Sequence, residues 1–387
     1  VIAQPLLLDD VLDPRIDQLP LKRADIAAEI ARTLGALDER DAERELERIN
    51  EFRSSIAFRL GLAFNDGRAD ATATARRLGG LAEAVVGAIL ALATRELTAQ
   101  HGRLPGDGSG FAVLGYGSLG GEELGFASDL DLVFVYDGRR ANTMSDGPRP
   151  VDGTRWYQRL AQRVMHWLSV QTHAGKLYDV DTRLRPDGSK GLLVASVDAF
   201  ETYQRERAWT WEHQALLRAR PVAGDVRLGD ALMAIRREIL GASRDAGRVY
   251  TEVGAMRARW RAERDRSDAT RIDLKQGTGA LIDIEFVLQG MVLAHASEHP
   301  SILDTPASST LIDVLREAGL LTQAQADTLH VAHADLLQMG LACTLDLRSR
   351  IATRTPELDA LCAGVRQVTE ALGFDFEKRD ATAAQDA

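Results

Sequence analysis

The sequence predicts an α+β protein in which a small mixed sheet is held between large helical regions. Three observations carry this. From Pro20 to His101 apolar residues recur at three- and four-residue spacing, the period of an amphipathic helix. After a Gly/Pro/Asp-rich loop the pattern changes to short, continuous apolar runs bounded by turn residues, as buried strands have. From Val197 the helical spacing returns and runs almost to the end. Composition agrees: 45% hydrophobic and 27% charged residues suit a globular chain rather than a disordered one. Aromatics are only 5%, so Ala and Leu, both good helix formers, dominate the apolar supply.

In chain order, Ile26, Ile30 and Leu34 mark a first helical stretch, and Leu46, Ile49, Phe52, Ile56 and Leu60 a second. Breaks fall at Asn65-Asp66-Gly67 and between Gly102 and Gly110. Strands are expected at Phe111–Tyr116 and Leu130–Tyr136, with one or two helical turns between Ser118 and Leu124. A polar loop follows from Gly138 to Gly153, then a helix from Thr154 to Thr172. A third strand spans Leu177–Leu184, is stopped by Arg185-Pro186-Asp187-Gly188, and is expected to pair with Leu192–Val194. The strongest later helices are Val197–Arg207, Thr210–Arg220, Leu228–Leu240, Val249–Arg264, Ala280–His295 and Ala324–Leu347. This gives an N-terminal helical region (1–102), a sheet domain (103–220), a C-terminal helical bundle (221–375) and a flexible tail (376–387).

The formal net charge of −10 disfavours a nucleic-acid partner, because binding to a polyphosphate backbone is mostly electrostatic. Lys is confined to positions 22, 176, 190, 275 and 378; the other cations are Arg. Cys343 and Cys362 lack metal-ligand spacing and suit a reducing, cytoplasmic location. No membrane segment is expected, since the most apolar window, Ala84 to Ala93, is short and flanked by Glu83 and Arg95. The chain begins at Val1 and reads as a piece of something longer.

The residues that point to chemistry lie around the first two strands. Gly117-Ser118 follows a strand directly: Gly permits a tight turn and close approach of backbone N–H groups to phosphate, and Ser adds a donor. Asp129 and Asp131 are two apart on a strand and project to one side, where a cation would relieve their repulsion; Mg²⁺ takes one or two carboxylates plus substrate phosphates. On the third strand Asp179 and Asp181 share a face, and either is a candidate third carboxylate. Arg183, Arg185 and Lys190 offer cations for a triphosphate. A lone D-x-D is common, and it is the set in order that singles out this region. Gly115-x-Gly117-x-x-Gly120 matches a dinucleotide fingerprint only superficially, because no acidic residue closes a βαβ unit. His295/His299 and His330/His333 have helical ligand spacing but no accompanying carboxylate logic, which favours surface or interface positions. Trp209-Thr210-Trp211 reads as packing of a helix onto the sheet.

In three stretches the chain resembles the glutamine synthetase adenylyltransferase family: Gly115 to Phe134, Val180-Asp181-Thr182-Arg183-Leu184-Arg185-Pro186, and Ala208-Trp209-Thr210-Trp211-Glu212-His213-Gln214-Ala215-Leu216. Asp273-Leu274-Lys275-Gln276, Ile282-Asp283-Ile284-Glu285-Phe286 and the leading segment from Leu6 to Arg15 are similar to it as well, so the likeness spans nearly the whole chain. The resemblance implies a DNA polymerase β-type nucleotidyltransferase domain, of the kind in the family's C-terminal, AMP-adding half. With a single D-x-D nucleotidyltransferase motif, Asp129-x-Asp131 after Gly117-Ser118, the AMP-removing half is expected to be absent from this sequence. It further implies ATP as donor, a tyrosine of glutamine synthetase as acceptor, and two Mg²⁺ ions held by Asp129, Asp131 and Asp181, with Asp181 preferred over Asp179. Gly117, Ser118, Ser128, Arg183, Arg185 and Lys190 would bind the nucleotide, and the PII signal protein and glutamine would act as effectors. Ser118 departs from the Lys common in the family, so the basic residues of the third strand and its turn are expected to supply the missing charge. The alternatives are phosphate-driven removal of AMP and a non-catalytic nucleotide- or PII-binding module.

Overall fold

A computed structural model describes residues 23–36 and 41–377. The segment from Leu6 to Arg15, Lys22, Lys378 and the tail beyond Glu377 lie outside the described residues. The chain divides into two compact units, Val1–Arg207 with Ala219–Ile235, and Ala208–Arg218 with Arg236–Ala387.

The first unit opens with helices α1 (Arg23–Gly35), α2 (Ala42–Asn65) and α3 (Ala71–His101). Asp70 caps α3, its carboxylate accepting the Ala73 N–H at 2.7 Å. Leu81, Val85, Val86, Ile89, Ala93 and Leu97 of α3 are all buried at helical spacing. By length and composition α3 is apolar enough to cross a membrane, which the short window Ala84–Ala93 did not foretell. Its apolar stretch is instead 67% buried against the protein's own elements, as a core helix is.

The sheet follows. β1 (Phe111–Gly115) is buried throughout and pairs antiparallel with β2 (Leu130–Tyr136), Gly115 opposite Leu132. Between them lies only a single helical turn, α4 (Gly117–Gly120). Helix α5 (Gly153–Ser169) presents Trp156, Tyr157, Leu160, Ala161, Val164 and Leu168 to the core. The third strand is shorter than expected: only Val180–Asp181 (β3) pairs, parallel to the start of β2. β4 (Val194–Ser196) does not pair with it. β4 runs parallel to the end of β2 instead, Phe134 opposite Val194, so β3 and β4 succeed one another along one edge of β2. Helix α6 (Val197–Glu206) follows, capped by Ser196. β5 (Arg220–Gly224), in a stretch whose spacing read as helical, pairs antiparallel with the free edge of β1, giving the order β3-β2-β1-β5 with β4 beside β2.

The second unit is helical: α7 (Thr210–Leu217), the last turns of α8 (Val226–Leu240), α9 (Ala246–Arg264), α10 (Leu281–His295), α11 (Ser308–Glu317), α12 (Gln323–Leu345) and α13 (Pro356–Ala371). A two-stranded antiparallel ribbon of β6 (Arg271–Asp273) and β7 (Ile351–Thr353) was not foreseen. Trp209 is 59% exposed rather than packed on a sheet, and His333 is buried rather than at the surface. His330 pairs with Asp313, and His295 hydrogen-bonds the Tyr250 hydroxyl at 2.9 Å. Both cysteines are free and buried.

Candidate active site

Alternation along β2 sorts its residues. Leu130 and Leu132 are fully buried, which leaves Asp131, half-buried, on the opposite side of the strand, while Asp129, exposed, immediately precedes it. Parallel pairing places Leu130 opposite Val180 and Asp131 opposite Asp181. Paired residues in register share a face, so Asp181 stands beside Asp131. Asp179 contributes its backbone carbonyl to the Leu130 N–H at 2.9 Å, while its carboxylate is taken by Lys176 at 2.5 Å.

The Gly117-Ser118 turn approaches the same carboxylates from the other edge of β2. The Tyr116 N–H donates to the Asp131 carbonyl at 2.9 Å, so the chain leaves β1 directly over Asp131. Gly117 has φ +52°, and a Cβ added there would lie 2.1 Å from Asp131 Oδ2. Both facts demand glycine. Gly117→Ala is expected to lower stability by about 1–3 kcal/mol and to push the Asp131 carboxylate aside, as urea denaturation and nucleotide titration would report. Ser118 is half-buried in the first turn of α4. Ser128 Oγ accepts the Gly125 N–H at 3.0 Å and closes the loop that delivers Asp129.

The cations divide in role. Arg183 grips Asp181: its backbone N–H donates to Oδ1 at 2.8 Å and its Nε lies 3.0 and 2.8 Å from the two carboxylate oxygens. The hydrogen bond from the Arg183 side chain holds Asp181 below the usual carboxylate range, against the opposing effect of burial. Arg183 is raised in turn, chiefly by the same hydrogen bond and the charge of Asp181, with smaller contributions from Asp131 and Asp129. Its guanidinium therefore lies in the field of all three carboxylates. Because Asp181 is depressed, this pairing is present at neutral pH and is lost only as pH falls through the lowered carboxylate value. Arg185 does something else. Its Nη1 donates to Thr182 O at 2.7 Å and Thr182 Oγ1 at 2.9 Å, and its Nε reaches Gly191 O at 3.4 Å. It stitches the loop between β3 and β4, and its charge also acts on Asp181. Lys190 is exposed on that loop.

Among the described residues no three Asp, Glu, His or Cys side chains close around one point to hold a metal ion. Asp129, Asp131 and Asp181 share a face, but Asp181 is engaged by Arg183. The donor set nonetheless fits Mg²⁺: it is all oxygen, and Asp129 and Asp131 supply the one or two carboxylates that this ion takes beside substrate phosphates. Sequence reasoning missed Arg220 and Glu83, which hold the turn from behind. They are 137 residues apart, and no local pattern links them.

Comparison with known proteins bears on both parts of the chain. Residues 1–234 match the family model described as glutamate-ammonia ligase adenylyltransferase, and residues 254–386 that described as GlnD PII-uridylyltransferase. A relative from Xanthomonas campestris pv. campestris is 50% identical over 375 residues, covering 97% of this chain and 40% of the relative. One from Stenotrophomonas maltophilia is 49% identical with the same coverage, and one from Nitrosococcus oceani is 44% identical over 335 residues, or 85% of this chain and 35% of the relative. All three carry the name bifunctional glutamine synthetase adenylyltransferase/adenylyl-removing enzyme. The chain thus spans about 40% of the length of the first two of these relatives. Since the family model covers the whole stretch that builds the Gly117 turn and the three aspartates, the chain belongs to the glutamate-ammonia ligase adenylyltransferase family.

Proposed function

We propose that this chain moves AMP from ATP to a tyrosine hydroxyl of glutamine synthetase and releases pyrophosphate, on a DNA polymerase β-type nucleotidyltransferase domain. The observation that carries the reading is the in-register pair Asp131–Asp181 facing the Gly117 turn, with Asp129 on the same face. The phenol oxygen bonds to the α-phosphorus as the bond from that phosphorus to the bridging oxygen breaks. The tyrosine proton passes to Asp181, and pyrophosphate carries away the electron pair of the broken bond. Mg²⁺ held by Asp129 and Asp131, with Asp181, would supply Lewis-acid activation of the hydroxyl and neutralise the leaving charge. Free tyrosine has a pKa near 10, so proton removal needs help. Asp181, held acidic by Arg183, is a weak base while that pairing lasts. A triphosphate competing for Arg183 loosens the grip, raises the basicity of Asp181 and gains a cation in the same step. With Arg185 committed to its loop and Ser118 uncharged, Arg183 is the residue best placed to meet the phosphates.

The AMP-adding direction follows the wording of the Gly115–Phe134 and Trp209–Gln214 stretches. The relatives' names cover removal of AMP as well, so that is the competing reading. The match of residues 254–386 to a PII-uridylyltransferase model supports an involvement of PII with the second unit, and the family resemblance adds glutamine as an effector. Free, buried cysteines suit a reducing cytoplasm. Incubating unmodified glutamine synthetase with this chain, Mg²⁺ and α-labelled ATP should place AMP on a tyrosine, read by mass spectrometry. Formation of ADP from adenylylated glutamine synthetase and phosphate, with no forward labelling, would establish the removing activity instead.

A further inference from the structure

The Gly117-Ser118 turn is held by more than its own backbone. α4 has four residues, too few for helical cooperativity to fix its orientation, and beyond local bonds such as Glu122 N–H to Leu119 O at 3.3 Å its last carbonyls take further donors. Arg220, at the start of β5, supplies them. Its Nε donates to Gly120 O at 3.0 Å and its Nη2 to Leu119 O at 3.0 Å. The same guanidinium is ion-paired with Glu83 of α3, a carboxylate only 5% exposed, which also takes Arg23 at 2.9 Å. α3 meets this segment twice more: Arg76 Nε lies 3.4 Å from Glu122 Oε2, and a Cβ added at Gly79 would sit 4.0 Å from Glu122 Cα. The turn is therefore braced against a 31-residue core helix, with Arg220 the side chain that reaches its carbonyls.

We infer that Arg220 is a positioning residue for nucleotide binding, acting through the Leu119 and Gly120 carbonyls to set Gly117-Ser118 against Asp131, with Glu83 fixing its guanidinium. The inference rests on the nucleotidyltransferase reading above. Arg220 engages its Nε and Nη2 on two carbonyls and on Glu83, which Arg23 shares, so these contacts direct the guanidinium to the turn. The role calls for arginine. A lysine keeps the charge opposite Glu83 but lacks the planar fork that reaches two carbonyls and a carboxylate at once.

The test compares the whole chain as wild type, Arg220→Lys, Arg220→Met and Glu83→Gln, by MgATP calorimetry, melting, and ATP and acceptor KM in the transfer assay. Arg220→Lys should melt like the wild type while its MgATP Kd and ATP KM rise on the order of tenfold, since misplacement by about 1 Å can cost roughly a hundredfold. The acceptor KM should not move, Arg220→Met should be worse, and Glu83→Gln should follow in the same direction. A fall in kcat that tracks a lowered melting temperature, with ATP KM unchanged, marks a merely structural role and overturns the inference. If wild type and Arg220→Lys bind MgATP equally, the inference alone falls. If the wild type binds no MgATP, the nucleotidyltransferase reading fails and takes the inference with it.

Discussion

Asp129→Asn and Asp131→Asn are each expected to cut AMP transfer by roughly a thousandfold or more while leaving the protein folded. The two halves of this expectation have separate causes. Asn is nearly isosteric with Asp but carries no charge, so it weakens whatever cation and phosphate binding the pair provides. Asp129 is exposed, so its substitution should change stability by no more than about 0.5 kcal/mol. Asp131 is half-buried beside Asp181 and under Gly117, and neutralising it removes a like-charge repulsion from Asp181 together with an attraction to Arg183, effects of opposite sign. Urea denaturation alongside label transfer separates the two effects. Labelling of glutamine synthetase at the wild-type rate by either variant would sink the site assignment.

How far the sequence could be read depended on whether an element's signal was local. β2 begins and ends where its apolar run does, and β1 stops one residue short of the expected end. The D-x-D alternation is legible because period two is a property of the strand itself: Leu130 and Leu132 are buried and Asp131 between them is not. β5 escaped notice for a physical reason: Pro221 cannot donate to a ladder, and the pairing with β1 is interrupted by a shift between Val113 and Leu114. Such a strand survives only at a sheet edge and carries no alternation to detect. β3 is shorter than its apolar run because only two residues find the edge of β2 before the chain turns away. Arg185 illustrates a different limit. The residue type fits phosphate binding, but whether a guanidinium faces the substrate or its own loop is set by the fold of residues 182–191, which composition does not encode.

Asp283→Ala is expected to cost about 3–5 kcal/mol in the second unit, the largest stability loss predicted here for a single substitution. The helix α10 reads Leu-Ile-Asp-Ile-Glu-Phe at its start, and an acid inside so apolar a run invites a functional reading. Its surroundings argue otherwise. Asp283 is 2% exposed and accepts Arg257 Nε at 2.6 Å, Arg261 Nη2 at 2.8 and 2.6 Å, and the Gly279 N–H at 2.7 Å. Arg257 is wholly buried. Burial pushes its guanidinium toward losing its proton, and the charge and hydrogen bond of Asp283 are what oppose this. It is also supported by the Gln276 carbonyl at 2.7 Å, the Phe286 ring 5.9 Å from the guanidinium carbon, and the weaker influence of the Asp265 charge. Removing Asp283 therefore strands a cation in the interior, and that cost exceeds the loss of the hydrogen bonds themselves. Because the chain has two compact units, unfolding followed by separate probes should show the shift in the transition that reports the second unit. Replacing Asp283 and the more buried of its two arginines, Arg257→Met with Asp283→Leu, should recover much of the loss, since no wholly buried charge is then stranded and Arg261 keeps Glu377 at 2.7 Å. If Asp283→Ala alone unfolds at the wild-type urea concentration, the Asp283 carboxylate is not what keeps the two arginines folded into the core.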